Sequence, residues 1–187
     1  MSEFSLTPEE KKYLLSLARQ TIILRADDKP SPETDFYSTT LKQTAGVFVT
    51  LNKNHQLRGC IGYVEGIKPL QNAVEEMALT AAFEDPRFDP VCSDEIKELQ
   101  IEISILSPLN TISDIQQIEV GTNGLIIEKG LFKGLLLPQV AAEYGWDRVT
   151  FLEQTCLKAG LPKDAWKEES TKIQTFTAEI FSESDNL

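Results

Sequence analysis

A mixed α+β fold, mainly antiparallel sheet with flanking helices, follows from three features of the sequence. Leu99, Ile101, Ile103 and Ile105 alternate with Gln100, Glu102 and Ser104, the two-residue period of a strand with one buried face. Two apolar runs, Gly46 to Leu51 and Leu57 to Val64, flank a polar stretch from Asn52 to Gln56, which predicts a hairpin. Behind Pro69, Leu70, Ala73, Val74, Met77, Ala78, Ala81 and Ala82 recur at helical spacing while Glu75 and Glu76 stay off the apolar stripe.

The remaining elements follow in chain order. Thr7-Pro8-Glu9-Glu10 is a helix start, with Thr7 as N-cap, Pro8 at the first helical position and Glu10 closing a capping box. Leu14, Leu17, Ala18, Thr21 and Ile22 carry that helix to about Ala26. Asp27 to Asp35, with Pro30 and Pro32 among charges, is a surface connection, and residues 34–44 favour no element. Pro86 ends the second helix, because the residue before proline is driven out of the helical region. Ser93 caps a short helix before the strand at Leu99, and the loop from Pro108 to Glu119 holds another starting near Ser113. The second half then repeats the first. Strands at Gly124 to Glu128 and Gly134 to Leu137 lead to a helix opened by Pro138 and broken at Gly145. A further helix capped by Asp147 and closed by Gly160 precedes a last strand from Thr171 to Phe181, with Phe176, Ala178 and Ile180 on one face. The expectation is two ββαβ-like units in one compact domain with a cleft, spanning residues 1–187 with an ordered core over about 7–183 and a subdomain division near 108–123.

Composition narrows the function classes. With 41% hydrophobic and 25% charged residues the chain reads as an ordinary globular protein, and no apolar run is long enough to span a bilayer. Met1-Ser2-Glu3-Phe4 lacks the basic start and apolar stretch of a signal peptide, so the expected compartment is the cytoplasm. Cys60, Cys92 and Cys156 are widely spaced and odd in number, matching neither a disulfide framework nor a paired-cysteine metal site, so no metal site is expected. A formal net charge of −11 argues against a nucleic-acid partner, which calls for a basic face. The single histidine, His55, lies in the polar stretch and reads as a solvated turn residue. No Gly-rich loop followed by lysine supports an NTPase, no nucleophile elbow supports a hydrolase, and no motif names a cofactor.

Leu57-Arg58-Gly59-Cys60-Ile61-Gly62 concentrates a cation, a thiol and two glycines in one short apolar segment. On a regular strand Leu57 and Ile61 face the core, while Arg58, Cys60 and the Gly62 position face the other way. A guanidinium beside the thiol favours thiolate. Two glycines in a strand mark a bulge or a close approach by a ligand or another backbone. On the structural reading, the glycines shape a bend, Cys60 is a small buried hydrophobe, and Arg58 pairs with a carboxylate. Asp85 and Arg87, flanking Pro86, likewise read either as an exposed ion pair or as part of the site, and Glu102 sits on the polar face of its strand, where it is expected to meet Arg58.

Those six residues, with Phe83-Glu84-Asp85-Pro86-Arg87-Phe88 and Glu102-Ile103-Ser104-Ile105-Leu106, resemble the AMMECR family (Alport syndrome, mental retardation, midface hypoplasia and elliptocytosis chromosomal region). Leu137-Pro138-Gln139-Val140-Ala141 with Trp146-Asp147 is similar to its prokaryotic branch, and the likeness runs from about Leu14 to Ile180. The resemblance implies an α+β protein with a cleft near the Arg-Gly-Cys strand, and Memo-like and radical-SAM proteins as partners. It implies no agreed activity.

Two functions follow. The first is a binding module that recognises a small anionic group or a protein segment through Arg58, Gly59, Cys60, Gly62, Asp85, Arg87 and Glu102, since arginine donates to carboxylate or phosphate in a planar fork. The second is an enzyme with Cys60 as catalytic nucleophile or redox group, activated by Arg58 and oriented by Glu102 or Asp85. That second function lacks an evident general base.

Overall fold

The Thr7 hydroxyl accepts from the Glu10 N–H (3.2 Å) and the Glu10 carboxylate accepts from the Thr7 N–H (2.8 Å), the reciprocal cap that starts α1 (Pro8–Ala26). The computed structural model describes residues 5–32, 36–185 and 187; residues 1–4, on which the signal-peptide expectation falls, and residues 33–35 of the first connection lie outside them. Leu14, Leu17, Ala18 and Ile22 form the buried face of α1.

The chain folds as two compact units, Met1–Leu106 with Glu179–Leu187, and Ser107–Ala178. In the first, β1 (Gly46–Lys53) turns into β2 (Gln56–Tyr63) through Asn54 and His55, at φ 52° and 61°. Two successive residues of positive φ match the right-handed twist of a hairpin, and asparagine tolerates them. His55 is thus a turn residue. α2 (Leu70–Phe83) follows, then a 3₁₀ turn (Ser93–Glu98) and β3 (Leu99–Leu106). β1 pairs antiparallel with both β2 and β3, and β8 (Ala178–Ser182) completes the order β2-β1-β3-β8. Val47, Val49 and Leu51 from β1 and Ile101 and Ile103 from β3 join the apolar stripes of α1 and α2 in one core.

The second unit contains β4 (Asn110–Ile112), β5 (Gly124–Lys129), β6 (Phe132–Leu136), α3 (Pro138–Glu143), α4 (Arg148–Lys158) and β7 (Lys172–Phe176). Its order is β4-β7-β5-β6, with β5 paired antiparallel to β6 and β7. The ββαβ core is the same in both units: the first hairpin strand is central, its hairpin partner lies on one side, and the strand after the helix lies on the other. Leu125, Ile127, Phe151, Leu152 and Cys156 form this unit's core, and Asp147 caps α4 by accepting from Thr150 N–H (2.7 Å).

Local expectations fail in three places. The expected last strand is two strands: it breaks at Thr177, whose C=O accepts from Ser107 N–H and whose N–H donates to Ser107 Oγ (both 2.9 Å), so β7 and β8 serve different sheets. Phe176 is accordingly buried while Ile180 is 37% exposed. The loop after Pro108 contributes β4, a short strand added to the edge at β7. Cys92, not Ser93, occupies the cap of the 3₁₀ turn, where its N–H donates to Glu95 (3.2 Å). Among the described residues, no helix is long and apolar enough to cross a membrane.

Candidate functional site

β1 and β2 pair regularly from Val47↔Tyr63 to Leu51↔Gly59, but the next pair is Asn52↔Leu57, so Arg58 is the extra residue of a β-bulge. A bulge re-aims the side chains around it. Leu57, expected to face the core with Ile61, is 42% exposed, whereas Ile61 packs against the core. Arg58 is carried away from Cys60 to Glu95: its Nη2 donates to Oε1 (2.7 Å) and its Nε to Oε2 (3.2 Å), a bidentate pair. Glu95 also accepts from Lys53 Nζ (3.1 Å) and Cys92 N–H. The Arg58 guanidinium beside Glu95 is the main cause that holds this carboxyl down at about 2.

What approaches the two glycines is the chain itself. A Cβ at Gly59 would stand 2.2 Å from the Ala81 carbonyl oxygen at the end of α2, and one at Gly62 would stand 2.4 Å from the Phe48 ring. The Gly59 contact fixes the end of α2 against β2, and the turn that follows lies along the outer edge of that strand. Asp85, buried in that turn, accepts from Cys60 N–H (2.9 Å), Arg87 N–H (3.1 Å), Arg87 Nε (2.9 Å) and Arg87 Nη2 (2.7 Å). The same Nη2 donates to the Cys60 C=O (3.0 Å). The ion pair therefore satisfies both outward backbone groups of Cys60 and closes the edge of the sheet where another strand would otherwise pair. Hydrogen bonds from Arg87 are the main cause that lowers the Asp85 carboxyl to about 2. The arginine side chain remains 46% exposed.

With its backbone turned outward, Cys60 forms with Thr50 a pair whose side chains are close. Thr50 Oγ1 donates to Cys60 Sγ (3.3 Å), and Thr50 also stands opposite Glu102 on β3, so Cys60, Thr50 and Glu102 lie in one row across the sheet. Burial pushes the Cys60 thiol up; the Thr50 hydrogen bond and Arg87 offset this in part, and Asp85 and Glu102 add to it. The expectation that Arg58 favours thiolate is thus overturned: the bulge takes Arg58 to Glu95, and desolvation dominates at the sulfur. The carboxylate that the Arg58 guanidinium grips is Glu95.

The structure therefore brings together Cys60, Asp85 and Arg87 by hydrogen bonds and places Glu102 in the row of Cys60, while Arg58 is held in a neighbouring cluster with Glu95 and Lys53. Phe88 joins the two, its ring centroid 5.4 Å from the Arg87 guanidinium and 6.0 Å from that of Arg58. Sequence reasoning missed Thr50, Phe88 and Glu95. Thr50 and Glu95 follow only from register and from the cap at Cys92, whereas Phe88 was in view beside Arg87. Among the described residues no group of three His, Cys, Asp or Glu side chains is placed to hold a metal ion.

A family model described as AMMECR1 matches residues 15–181. Protein PF1979 of Pyrococcus furiosus is 44% identical over 192 aligned residues, covering 96% of this chain and 91% of its own. Protein MK0488 of Methanopyrus kandleri is 42% identical over 189 residues, covering 96% and 91%. The crystal structure of the uncharacterized protein PH0010 from Pyrococcus horikoshii matches this fold with a TM-score of 0.91 at 43% identity, covering 96% of this chain and 94% of that one.

Proposed function

The chain belongs to the AMMECR1 family, and from that premise we propose that it is a recognition module whose site is the β2 rim around Cys60. Its occupant is a segment of a partner protein, met by Arg87. The observation that carries this reading is the state of Arg87: half exposed, yet fixed by its bonds to Asp85 and to the Cys60 carbonyl. A guanidinium already immobilised loses little entropy when a ligand acceptor arrives.

A small anion is the weaker occupant, because both forks are engaged by carboxylates, Arg58 by Glu95 and Arg87 by Asp85, and the charge is balanced. A protein segment combines one acceptor for Arg87 with apolar contact to Phe88 and the exposed Leu57. Memo-like and radical-SAM proteins are the partners the family resemblance proposes. The thiol-enzyme alternative is disfavoured because partial burial pushes the Cys60 thiol up, away from thiolate.

Calorimetric titration with a purified Memo-like protein tests the proposal. Arg87→Lys keeps a cation for Asp85 but removes the planar fork, so it should weaken binding by about 1.5–3 kcal/mol. Cys60→Ser should change binding little. Unaltered affinity in a folded Arg87→Lys variant, or no binding by the unmodified chain, would remove the basis of the assignment.

A further inference from the structure

The edges of the two sheets are closed unequally. β2 is sealed at Cys60 by Asp85 and Arg87, β4 spans only Asn110–Ile112, and on β8 the Ser182 N–H donates to Asp185 (2.7 Å). β6 ends its sheet beyond β5, and among the described residues Phe132–Leu136 makes no backbone hydrogen bond to any other strand. The geometry points to β6 as a docking edge for an extended segment of a partner protein, apolar at alternate positions and acidic between them. Unpaired N–H and C=O groups along an edge are a template for an added strand, with side chains on either side setting specificity.

The surroundings of β6 supply that specificity. Leu131, beside the positive-φ Gly130, is wholly exposed, and Phe132 and Leu157 are each 53% exposed. A Cβ at Gly160 would stand 3.7 Å from the Phe132 ring, so Phe132 and the end of α4 offer one apolar surface. Lys133 is 39% exposed and pairs with Glu128 at 3.8 Å, and Lys158 is exposed beside Leu157. This unit is also the less acidic part of the chain: residues 107–178 hold seven Lys and Arg against nine Asp and Glu, where the whole chain holds 18 against 29. A second copy is the poorer occupant. Phe132-Lys133-Gly134-Leu135-Leu136 carries no acidic residue to meet Lys133.

The test uses the full chain with two capped hexapeptides, one alternating valine with glutamate and one alternating valine with lysine, read by amide hydrogen exchange over residues 132–136 and by affinity. The glutamate peptide should protect these amides and bind about fivefold or more tightly than the lysine peptide. Lys133→Glu should abolish or reverse that preference, and Phe132→Asp should weaken both peptides; both positions are exposed, so the variants should melt like the parent. Absence of protection, an unchanged preference in Lys133→Glu, or sedimentation showing a dimer lost in Phe132→Asp would each overturn the proposal.

Discussion

β2 and β6 hold the same place in the two units and differ in what the chain does next. Each is the outer strand of its hairpin, each carries a glycine opposite a buried apolar residue of the central strand, Gly59 opposite Leu51 and Gly134 opposite Ile127, and each glycine meets the end of a helix. The missing Cβ at Gly59 faces the Ala81 carbonyl oxygen at 2.2 Å, and that at Gly134 faces the Ala159 nitrogen at 2.4 Å. Beyond the glycine the resemblance stops. Arg58 and Cys60 in β2 correspond to Lys133 and Leu135 in β6. The chain leaving α2 brings Asp85 and Arg87 back to the strand edge, whereas the chain leaving α4 buries Leu161 and Ala165 in its own core. The shared glycine thus belongs to the ββαβ packing, and the polar groups found in only one unit are those on which the proposed recognition rests.

The largest effect expected from breaking this asymmetry is at Asp85. Asp85→Ala leaves the Cys60 N–H without an acceptor and Arg87 without its counter-ion, which should cost about 3 kcal/mol in denaturant unfolding. The pH dependence follows the same pair. Because the Asp85 carboxyl is lowered to about 2, its support is complete above the unfolded value near 4 and is lost as pH falls through 2. Roughly 2 kcal/mol should disappear across that window. Glu95, also held at about 2, titrates over the same range, so the difference between the parent and Asp85→Asn isolates the clamp. Identical acid transitions in the two would contradict it.

The next effect tests the shared feature. Gly59→Ala and Gly134→Ala should each cost about 2–3 kcal/mol, since the new methyl meets backbone that cannot swing away. Gly130→Ala, with open space but φ 60°, should cost about 1–2 kcal/mol. A severe loss at Gly59 alone would mean that the two glycines are not counterparts. Smaller again is Glu95→Gln, which keeps the shape and weakens the charge-assisted pair with Arg58 by about 1 kcal/mol, leaving the Asp85 clamp and Cys60 unaffected.

Much of this architecture was legible because periodicity and caps are local. The capping box at Thr7, the hairpin around Asn54, the stripe of α2 and the alternation from Leu99 to Leu106 all report on neighbours within a few residues. The Thr171–Phe181 segment misled because strand pattern does not encode which sheet a strand joins; only the bonds between Ser107 and Thr177 divide it. At the site, the residue types were legible and their pairing was not. A single bulged residue carried Arg58 to Glu95 and turned Leu57 outward, and no alternation rule announces a bulge. The same bulge removed the cation expected beside the thiol.

Cys60 therefore provides the most direct measurement, by site-resolved alkylation across pH with Cys92 and Cys156 as internal references. Buried desolvation should keep Cys60 slower than the exposed Cys92 at pH 7, with its rate rising only above the ordinary thiol range, and Cys156 should stay inert in its core. Alkylation of Cys60 faster than Cys92, with a midpoint below pH 7, would contradict the account and identify the rim as a thiol-reactive centre.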